Sequence, residues 1–184
     1  MQGQVTLMRT VVMVGMMGCG KTAIGRALAQ RLDVPFLDSD AEIEVAANAA
    51  ITEIFARDGE AFFRKREAEV IGRLLKGPAG ILSTGGGAFL QATNRRAIER
   101  LGVSVWLDAP LNLLWERVRH KDTRPLLQTD DPKATLTTLF NERNPIYAKA
   151  GVHIAVRPKA SIDETTDQVI AALRARPDIL KDVP

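Results

Sequence analysis

The stretch GMMGCGKT, residues 15–22, decides the fold of this chain. It matches the phosphate-loop pattern G-x-x-x-x-G-K-[ST] at every fixed position. An apolar run at 10–14 precedes it, and apolar residues recur at helical spacing over 24–32. Such a loop between a strand and a helix gathers backbone N–H groups around phosphate oxygens and adds the positive end of the helix dipole. The stretch therefore predicts an α/β domain that binds ATP or a related nucleotide.

The side chains of this loop have distinct expected roles. Lys21 would reach the β- and γ-phosphates, and the Thr22 hydroxyl would ligate Mg²⁺. The thiol of Cys19 is open to two interpretations, since it could be reactive near the start of the helix or could simply fill a slot for a small residue. We favour the second. The predicted nucleotide-binding residues of the loop are Gly15, Gly18, Cys19, Gly20, Lys21, Thr22 and Ala23.

Length and composition indicate a single domain over residues 1–184, with 46% hydrophobic and 26% charged residues. One cysteine excludes an internal disulfide and favours a reducing compartment. The net charge of +3 comes from basic residues scattered among 22 acids, and aromatic residues make up 5%. This pattern argues against a nucleic-acid-binding module and fits a pocket for anions. The sequence has no apolar run of the ~18 residues that span a membrane, so we expect a cytoplasmic protein without a membrane partner.

Short apolar runs alternate with amphipathic segments along the chain. Strands are predicted at 10–14, 35–38, 80–84, 103–107 and 152–156. Helices are predicted after the phosphate loop and at 40–47, 51–57, 60–75, 93–101, 111–118, 132–149 and 161–174. The alternation predicts an α/β fold, with a parallel sheet flanked by helices. The polar connection at 119–132 is a candidate lid, and residues 175–184 are expected to be a frayed tail.

Two acidic residues follow the second predicted strand, in the sequence LDSD. Asp38 and Asp40 are two residues apart, so they would share a face if the strand persists through both. Ligands of open α/β sheets bind beyond the carboxyl ends of the strands. One carboxylate would therefore lie near a metal and the other near an acceptor hydroxyl. The alternative is a surface turn in which Ser39 or Asp40 caps the next helix.

Two further motifs point to a small-molecule acceptor. In FRKRE, Arg64 and Glu67 are three residues apart on a helix and can pair. Such a pair orients the arginine to grip a carboxylate, although a plain surface pair has the same spacing. In STGGG, residues 83–87, three successive glycines follow the third predicted strand. Backbone without side chains lets a small ligand approach there and offers it N–H donors.

With TRPLL and ERNPIY, these motifs form an ordered set that resembles shikimate kinase over nearly the whole chain. The resemblance implies a P-loop NTPase fold of the nucleoside-monophosphate-kinase kind, with a five-stranded parallel sheet. A substrate-binding segment would lie at about 38–67 and a lid at about 119–132. The implied reaction transfers the γ-phosphoryl group of ATP to the 3-hydroxyl of shikimate with Mg²⁺, on the route to chorismate and the aromatic amino acids. The resemblance also favours a monomer.

The resemblance assigns roles to residues on the acceptor side. Asp40 would hydrogen-bond the shikimate hydroxyls. Arg64 and Arg143 would grip the shikimate carboxylate, with Glu67 bracing the site. The glycines would bring backbone N–H groups to the substrate. The implied substrate-binding residues are Asp40, Arg64, Gly86, Gly87 and Arg143.

The nucleotide side and the chemistry are assigned in the same way. Arg124, in TRPLL, resembles the lid arginine that closes over the phosphates. Arg117 matches the position that stacks on adenine, with Arg157 as its implied partner. Asp38 would hold the water shell of Mg²⁺ beside Thr22. The implied catalytic residues are Lys21, Asp40 and Arg124.

Some features of the chain leave alternatives open. Phe55 and Phe63 resemble aromatic walls of the shikimate pocket, and each could equally be plain core. Cys19 stands where the family usually has Ser or Ala, and STGGG occupies the place of a D-x-x-G strand ending, so the metal shell rests on Thr22 and Asp38 with waters. The rival functions are another small-molecule P-loop kinase, such as a gluconate kinase, and a non-catalytic ATP-binding relative.

Overall fold

The structure, a computed structural model, describes residues 5–121 and 124–183. Strands of these residues are β1 (Val5–Leu7), β2 (Thr10–Val14), β3 (Phe36–Asp38), β4 (Ile81–Ser83), β5 (Gly102–Asp108), β6 (Val152–Ala155) and β7 (Leu180–Asp182). The α-helices are α1 (Lys21–Leu32), α2 (Ser39–Ala47), α3 (Ile51–Leu75), α4 (Ala92–Leu101), α5 (Leu111–Val118), α6 (Pro132–Tyr147) and α7 (Ile162–Arg174). Short 3₁₀ turns lie at Ala88–Leu90 and Pro125–Leu127.

Five parallel strands form the central sheet, in the order β3-β4-β2-β5-β6. In the register, Val12 of β2 lies between Leu82 of β4 and Ser104 of β5. All of β2 is buried, as expected for a strand covered on both faces. Helix α1 packs against α7, and α3 packs against α4. The predicted α/β architecture, with five parallel strands in a helix-flanked sheet, is confirmed.

The strand order brings three carboxyl ends together. Strands β3, β4 and β2 are neighbours, so the chain segments that follow Asp38, Ser83 and Val14 leave the sheet at one edge. A hydrogen bond ties two of these ends, since the Thr84 hydroxyl donates to the Met13 carbonyl oxygen at 3.0 Å. The phosphate loop, the aspartate pair and the glycine run are therefore placed side by side.

The segment after β3 forms a small core of its own. Ile43 of α2 packs with Ile54, Phe63 and Val70 of α3. Helix α3 covers both helices predicted at 51–57 and 60–75, and Gly59 between them has non-helical angles (φ 84°, ψ 172°). Glycine tolerates this φ without the Cβ clash that other residues would meet. The kink falls at the predicted break.

Helix α2 begins differently from the prediction. Strand β3 ends at Asp38, and Asp38 is the N-cap of α2, because its Oδ1 accepts hydrogen bonds from the backbone N–H groups of Asp40 (2.9 Å) and Ala41 (3.2 Å). The expected cap at Ser39 or Asp40 is therefore wrong. Asp40 lies in the first helical turn and not on an extended strand, so the two aspartates come together by capping and not by strand alternation.

The chain terminus also departs from expectation. Strand β7 pairs antiparallel with β1, Ile179 is fully buried and Leu180 is 2% exposed. The prediction of a frayed tail at 175–184 is wrong for residues 179–182, because these strands are only three residues long and one buried leucine carries little sequence signal. Residues 1–4, residues 122 and 123 of the predicted lid, and Pro184 lie outside the described residues. Among the described residues, none of the helices is long and apolar enough to cross a membrane.

Candidate active site

A cavity of about 730 Å³ opens at the edge where the carboxyl ends of β2, β3 and β4 meet. Most of the predicted site residues line it. The predicted residues in its lining are Gly18, Cys19, Gly20, Lys21, Thr22, Ala23, Asp38, Asp40, Arg64, Gly86, Gly87, Arg117, Arg124 and Arg143. The fold thus gathers into one cavity residues that are spread over more than a hundred positions in the sequence.

The phosphate loop depends on glycines at its turns. Gly18 and Gly20 have φ of 80° and 106°, a region that side chains disfavour, and Gly20 is the N-cap of α1. The Lys21 ammonium lies against the loop and donates hydrogen bonds to the carbonyl oxygens of Gly15 (2.8 Å) and Met16 (3.1 Å). Gly15 is absent from the cavity lining, so its observed contribution is to hold Lys21.

Cys19 is part of the packing of this loop. It is 1% exposed, and its Sγ lies 3.8 Å from the Lys21 Nζ. A Cβ added to Gly15 would come within 2.9 Å of that sulfur. This close burial favours the interpretation of Cys19 as a small residue that fills a slot.

The aspartate pair has two different environments. Asp38 uses Oδ1 as the helix cap, and its Oδ2 has no hydrogen-bond partner among the described residues. Burial raises the pKa of Asp40, and the nearby Asp38 and Glu44 carboxylates raise it further, against the opposing charges of Lys21 and Arg64. Asp40 is therefore a stronger base than an ordinary aspartate, and it lies next to the phosphate loop.

Arg64 and Glu67 form the ion pair that their spacing predicts. The Arg64 Nη1 donates to Glu67 Oε1 at 2.9 Å, and Glu60 Oε1 lies 3.5 Å from Arg64 Nε. The Glu67 side chain is 1% exposed, which excludes a plain surface pair. Burial raises the pKa of Glu67, while the adjacent Arg64 guanidinium lowers it. The pair fixes the direction of an arginine that lines the cavity.

The three successive glycines leave room for three different side chains. A Cβ added to Gly85 would lie 2.8 Å from Asp40 Oδ1, one added to Gly86 would lie 3.3 Å from Arg143 Nη1, and one added to Gly87 would lie 2.4 Å from Arg64 Nη2. Heavy atoms at 2.4–2.8 Å overlap. None of these three glycines has a positive φ, so their requirement is space and not an unusual backbone conformation.

Tyr147, at the end of α6, supports this glycine run and was missed by the sequence analysis. Its hydroxyl donates to the Gly86 carbonyl oxygen at 2.6 Å, and its ring is 1% exposed, between Phe89 and Trp106. Burial raises the pKa of Tyr147 to about 12, although charge and hydrogen bonding from Arg143 oppose the shift. The available signal was the tyrosine that closes ERNPIY, four residues after Arg143 on the same helix face.

Further cationic side chains line the cavity. Arg117 Nη1 donates to the Gly18 carbonyl oxygen at 2.9 Å, so it is attached to the phosphate loop. Arg124 lies at the start of the 3₁₀ turn Pro125–Leu127 and lines the cavity with Lys121, a residue that the sequence analysis missed. Arg157 is exposed and outside the lining. Its contact with adenine stays a prediction.

The two phenylalanines lie outside the lining of the cavity. Phe63 is 4% exposed and belongs to the small core between α2 and α3, with the Phe55 ring 4.6 Å away between centroids. This position favours the core interpretation for Phe63. Phe55 is 36% exposed and packs on Phe63.

A hydrated magnesium ion fits the cavity better than a metal in a dense ligand cage. Among residues 5–121 and 124–183, no group of three or more His, Cys, Asp or Glu side chains is arranged to hold a metal. Thr22 and Asp38 both line the cavity, and the Oδ2 of Asp38 faces no protein partner that the structure describes. Mg²⁺ keeps several waters and uses few protein ligands at phosphate sites, which agrees with this donor set.

Comparisons with known proteins agree with the geometry. A family model described as shikimate kinase matches residues 17–174. Shikimate kinase of Ruegeria pomeroyi is 63% identical, over 97% of this chain and 92% of that protein. Shikimate kinase of Cereibacter sphaeroides is 57% identical, over 95% of this chain and 87% of that protein.

Solved structures give the same result. Shikimate kinase from Acinetobacter baumannii in complex with shikimate superposes with a TM-score of 0.82 at 38% identity, covering 89% of this chain and 91% of that one. Shikimate kinase from Aquifex aeolicus has a TM-score of 0.78 at 31% identity, over 90% and 96% of the two chains. A gluconokinase from Sinorhizobium meliloti has a TM-score of 0.59 at 19% identity, over 90% and 91%, which is a likeness of fold alone. The predicted P-loop NTPase fold is confirmed.

The buried position of Tyr147 can be tested by titration, because it is the one tyrosine of the chain. We expect its phenolate absorbance to appear with a pKa of about 12 in the folded protein and about 10 in urea. Since folding raises this pKa, the contribution of Tyr147 to stability is complete below pH ~10 and declines as the pH rises through the folded pKa.

Tyr147→Phe serves as the control for this titration and should abolish the absorbance change. Tryptophan fluorescence, recorded at each pH, shows whether the fold persists. A phenolate that forms near pH 10 while the fluorescence is still native would contradict the buried hydroxyl.

Proposed function

Because the chain belongs to the shikimate kinase family, it is an ATP-dependent phosphotransferase, and we propose that it transfers the γ-phosphoryl group of ATP to the 3-hydroxyl of shikimate. The observation that carries this proposal is the glycine run at 85–87. Its three residues lie against Asp40, Arg143 and Arg64 in turn, beside the phosphate loop. One acid and two arginines suit an acceptor that has both hydroxyls and a carboxylate.

We propose that the shikimate carboxylate binds between Arg64 and Arg143. Guanidinium groups match the planar geometry of a carboxylate and can donate two parallel hydrogen bonds. Each arginine has its own support: the buried Glu67 holds Arg64 at 2.9 Å, and Tyr147 interacts with both Arg143 and the Gly86 carbonyl oxygen. Held groups lose less conformational entropy when the ligand binds.

Asp40 is proposed to align the acceptor hydroxyl and to accept its proton. Its raised pKa supports this role, since a more basic carboxylate attracts a hydroxyl proton more strongly. Phosphoryl transfer has a loose transition state, so positioning contributes more than strong base catalysis. The carboxylate needs to be close to Gly85, and the absent side chain of this residue allows the approach.

Charge on the transferred group would be stabilised by Lys21 and Arg124. Both line the cavity, Lys21 from the phosphate loop and Arg124 from the start of the 3₁₀ turn Pro125–Leu127. Mg²⁺, held by Thr22 and by the water shell on Asp38, would neutralise phosphate charge. Arg117 and Arg157 are the proposed adenine contacts. Closure of the segment that contains Arg124 would exclude water from the phosphates.

The rival functions have less support. The likeness to a gluconokinase is one of fold alone, at 19% identity. A non-catalytic relative would be expected to lack part of the phosphate loop, the Asp38–Asp40 pair or the lid arginine, and this chain retains all of them. The assignment places the protein in chorismate and aromatic amino acid biosynthesis. We further propose a cytoplasmic monomer.

The direct test is a coupled assay of ADP release with Mg-ATP and four acceptors in parallel: shikimate, gluconate, AMP and CMP. We expect turnover with shikimate alone, because two arginines and an aspartate match its carboxylate and hydroxyls. Turnover with gluconate would favour the rival kinase. ATP binding without turnover of any acceptor would favour the non-catalytic relative.

Replacement of Asp40 tests the role of a carboxylate whose pKa is raised. Asp40→Asn should lower kcat by roughly 10²–10⁴-fold and change the KM for ATP much less, because the amide cannot accept the proton. In the wild type, kcat should fall as the pH drops through the Asp40 pKa, which lies above the ordinary aspartate range.

Glu44→Gln is the matched control, since Glu44 is an exposed acid four residues later on α2. It should leave kcat unchanged and move the acid limb slightly downward, because one neighbouring negative charge is removed. An unchanged kcat in Asp40→Asn would remove Asp40 from the mechanism.

Replacement of Gly87 tests the need for space beside Arg64. The new Cβ in Gly87→Ala would overlap Arg64 Nη2 at 2.4 Å, so the guanidinium must shift. The KM for shikimate should rise by about tenfold or more with little change in the KM for ATP. Gly72→Ala, at a helical position with open space around the Cβ, should change neither constant. An unaltered KM for shikimate in Gly87→Ala would show that Arg64 is not fixed by this contact.

A further inference from the structure

A second cavity, of about 420 Å³, lies at the end of the central sheet opposite to the active site. Arg9 immediately precedes β2, Gly102 begins β5, and Gly151 immediately precedes β6. These neighbouring strands are parallel, so their amino ends share one edge. The active site uses the carboxyl ends, and the sheet separates the two cavities. The volume of the second cavity falls within the range of roughly 300–1,000 Å³ that is usual for ligand pockets.

The lining of this cavity is strongly basic. Glu99 is the one acidic residue in the lining among the described residues. Gly102 and Gly151 also line the cavity and contribute only backbone to it. The cationic residues in the lining are Arg9, Arg95, Arg96, Lys149 and Arg176.

Two of these cations are fixed by neutral partners. Arg9 Nη2 donates to the carbonyl oxygen of Arg100 at 2.6 Å, and Arg95 Nη1 donates to the carbonyl oxygens of Phe89 and Leu90, both at 2.8 Å. Backbone carbonyls orient a guanidinium without cancelling its charge. These carbonyl oxygens therefore set the orientation of both guanidinium groups and do not cancel their charge.

The other cations differ in how far they are neutralised. Asp178 pairs with Arg176 at 3.1 Å and lies 3.9 Å from Arg9. Arg96 and Lys149 are exposed, and neither forms an ion pair or a side-chain hydrogen bond with a residue that the structure describes. Five cationic side chains line the cavity, and the acids near them are Glu99, in the lining, and Asp178, beside it. The lining therefore keeps a net positive charge.

We propose that this cavity is a second binding site for a small, multiply charged anion that carries phosphate or carboxylate groups. Concave surfaces lined with one sign of charge focus the potential and concentrate counter-ions. Guanidinium groups bind both phosphate and carboxylate in a bidentate manner. Arg96 and Lys149 supply exposed cations, and Arg9 and Arg95 supply cations oriented by backbone carbonyls.

Calorimetry on the full chain tests the proposal. The active site is first saturated with ADP and shikimate, so that the phosphate loop and the arginine pair are occupied. Pyrophosphate and citrate are then titrated separately at low ionic strength, where screening is weak. We expect one binding event with at least one of these anions. Binding of pyrophosphate alone would identify a phosphate site, and binding of both would identify a site that recognises charge.

Two double variants with the same net charge locate the binding. Arg96→Ala with Lys149→Ala should weaken the affinity by about tenfold or more. Lys65→Ala with Lys133→Ala, at exposed positions outside this lining, removes the same two charges and should leave the affinity unchanged. Lys133 lies in the first turn of α6, and Lys149 follows the opposite end of that helix. The proposal is overturned if neither anion binds the wild type, or if both double variants weaken binding equally.

Discussion

The Arg64 guanidinium passes so close to the backbone at Gly87 that a single added carbon would lie 2.4 Å from its Nη2. The Asp40 carboxylate lies almost as close to the backbone at Gly85, and the Arg143 guanidinium lies somewhat farther from the backbone at Gly86. One carboxylate and two guanidinium groups thus lie against one strip of backbone without side chains. Such close packing restricts each group to few positions, and preorganised groups stabilise a transition state without reorganisation during the reaction. The glycine run therefore brings together the groups of the proposed acceptor site, as the phosphate loop does for the proposed nucleotide site.

Electrostatics connects the groups along this strip. Glu67 is almost completely buried and is tolerable as a charge because Arg64 neutralises it at 2.9 Å. Arg64 in turn lowers the pKa of Asp40, while burial and Asp38 raise it by more. A substrate carboxylate that binds Arg64 would neutralise part of its positive charge, so Arg64 would lower the pKa of Asp40 less. The pKa of Asp40 should then rise further when the acceptor is in place, and in the proposed mechanism this would couple binding of the acceptor to activation of its hydroxyl.

The sequence predicted the structure correctly where a local pattern of residues is compatible with few structures. The phosphate loop, the parallel sheet and the Arg64–Glu67 pair follow from patterns with a local physical cause. The β1–β7 pair was not predictable in this way, since a three-residue strand at an edge has too few positions to show alternation. Tyr147 was missed for a different reason: its spacing from Arg143 places it on the same helix face, but no local pattern shows that its hydroxyl reaches Gly86, 61 residues away in sequence. The N-cap at Asp38 was misplaced by one or two residues because Asp38, Ser39 and Asp40 are all good caps, and the end of β3 decides among them.

Helix α4 links the two ends of the sheet. Asn94, which is buried, donates to the Ala88 carbonyl oxygen at 2.9 Å, and Arg95 donates to the carbonyl oxygens of Phe89 and Leu90. These bonds hold the 3₁₀ turn Ala88–Leu90, which continues directly from the glycine run. The backbone that positions Asp40, Arg64 and Arg143 is thus held on one side by Tyr147 and on the other by α4. Glycine contributes no side-chain packing of its own, so a run of three glycines can be rigid only if its neighbours supply the anchors, and the residues that follow it in the chain do so.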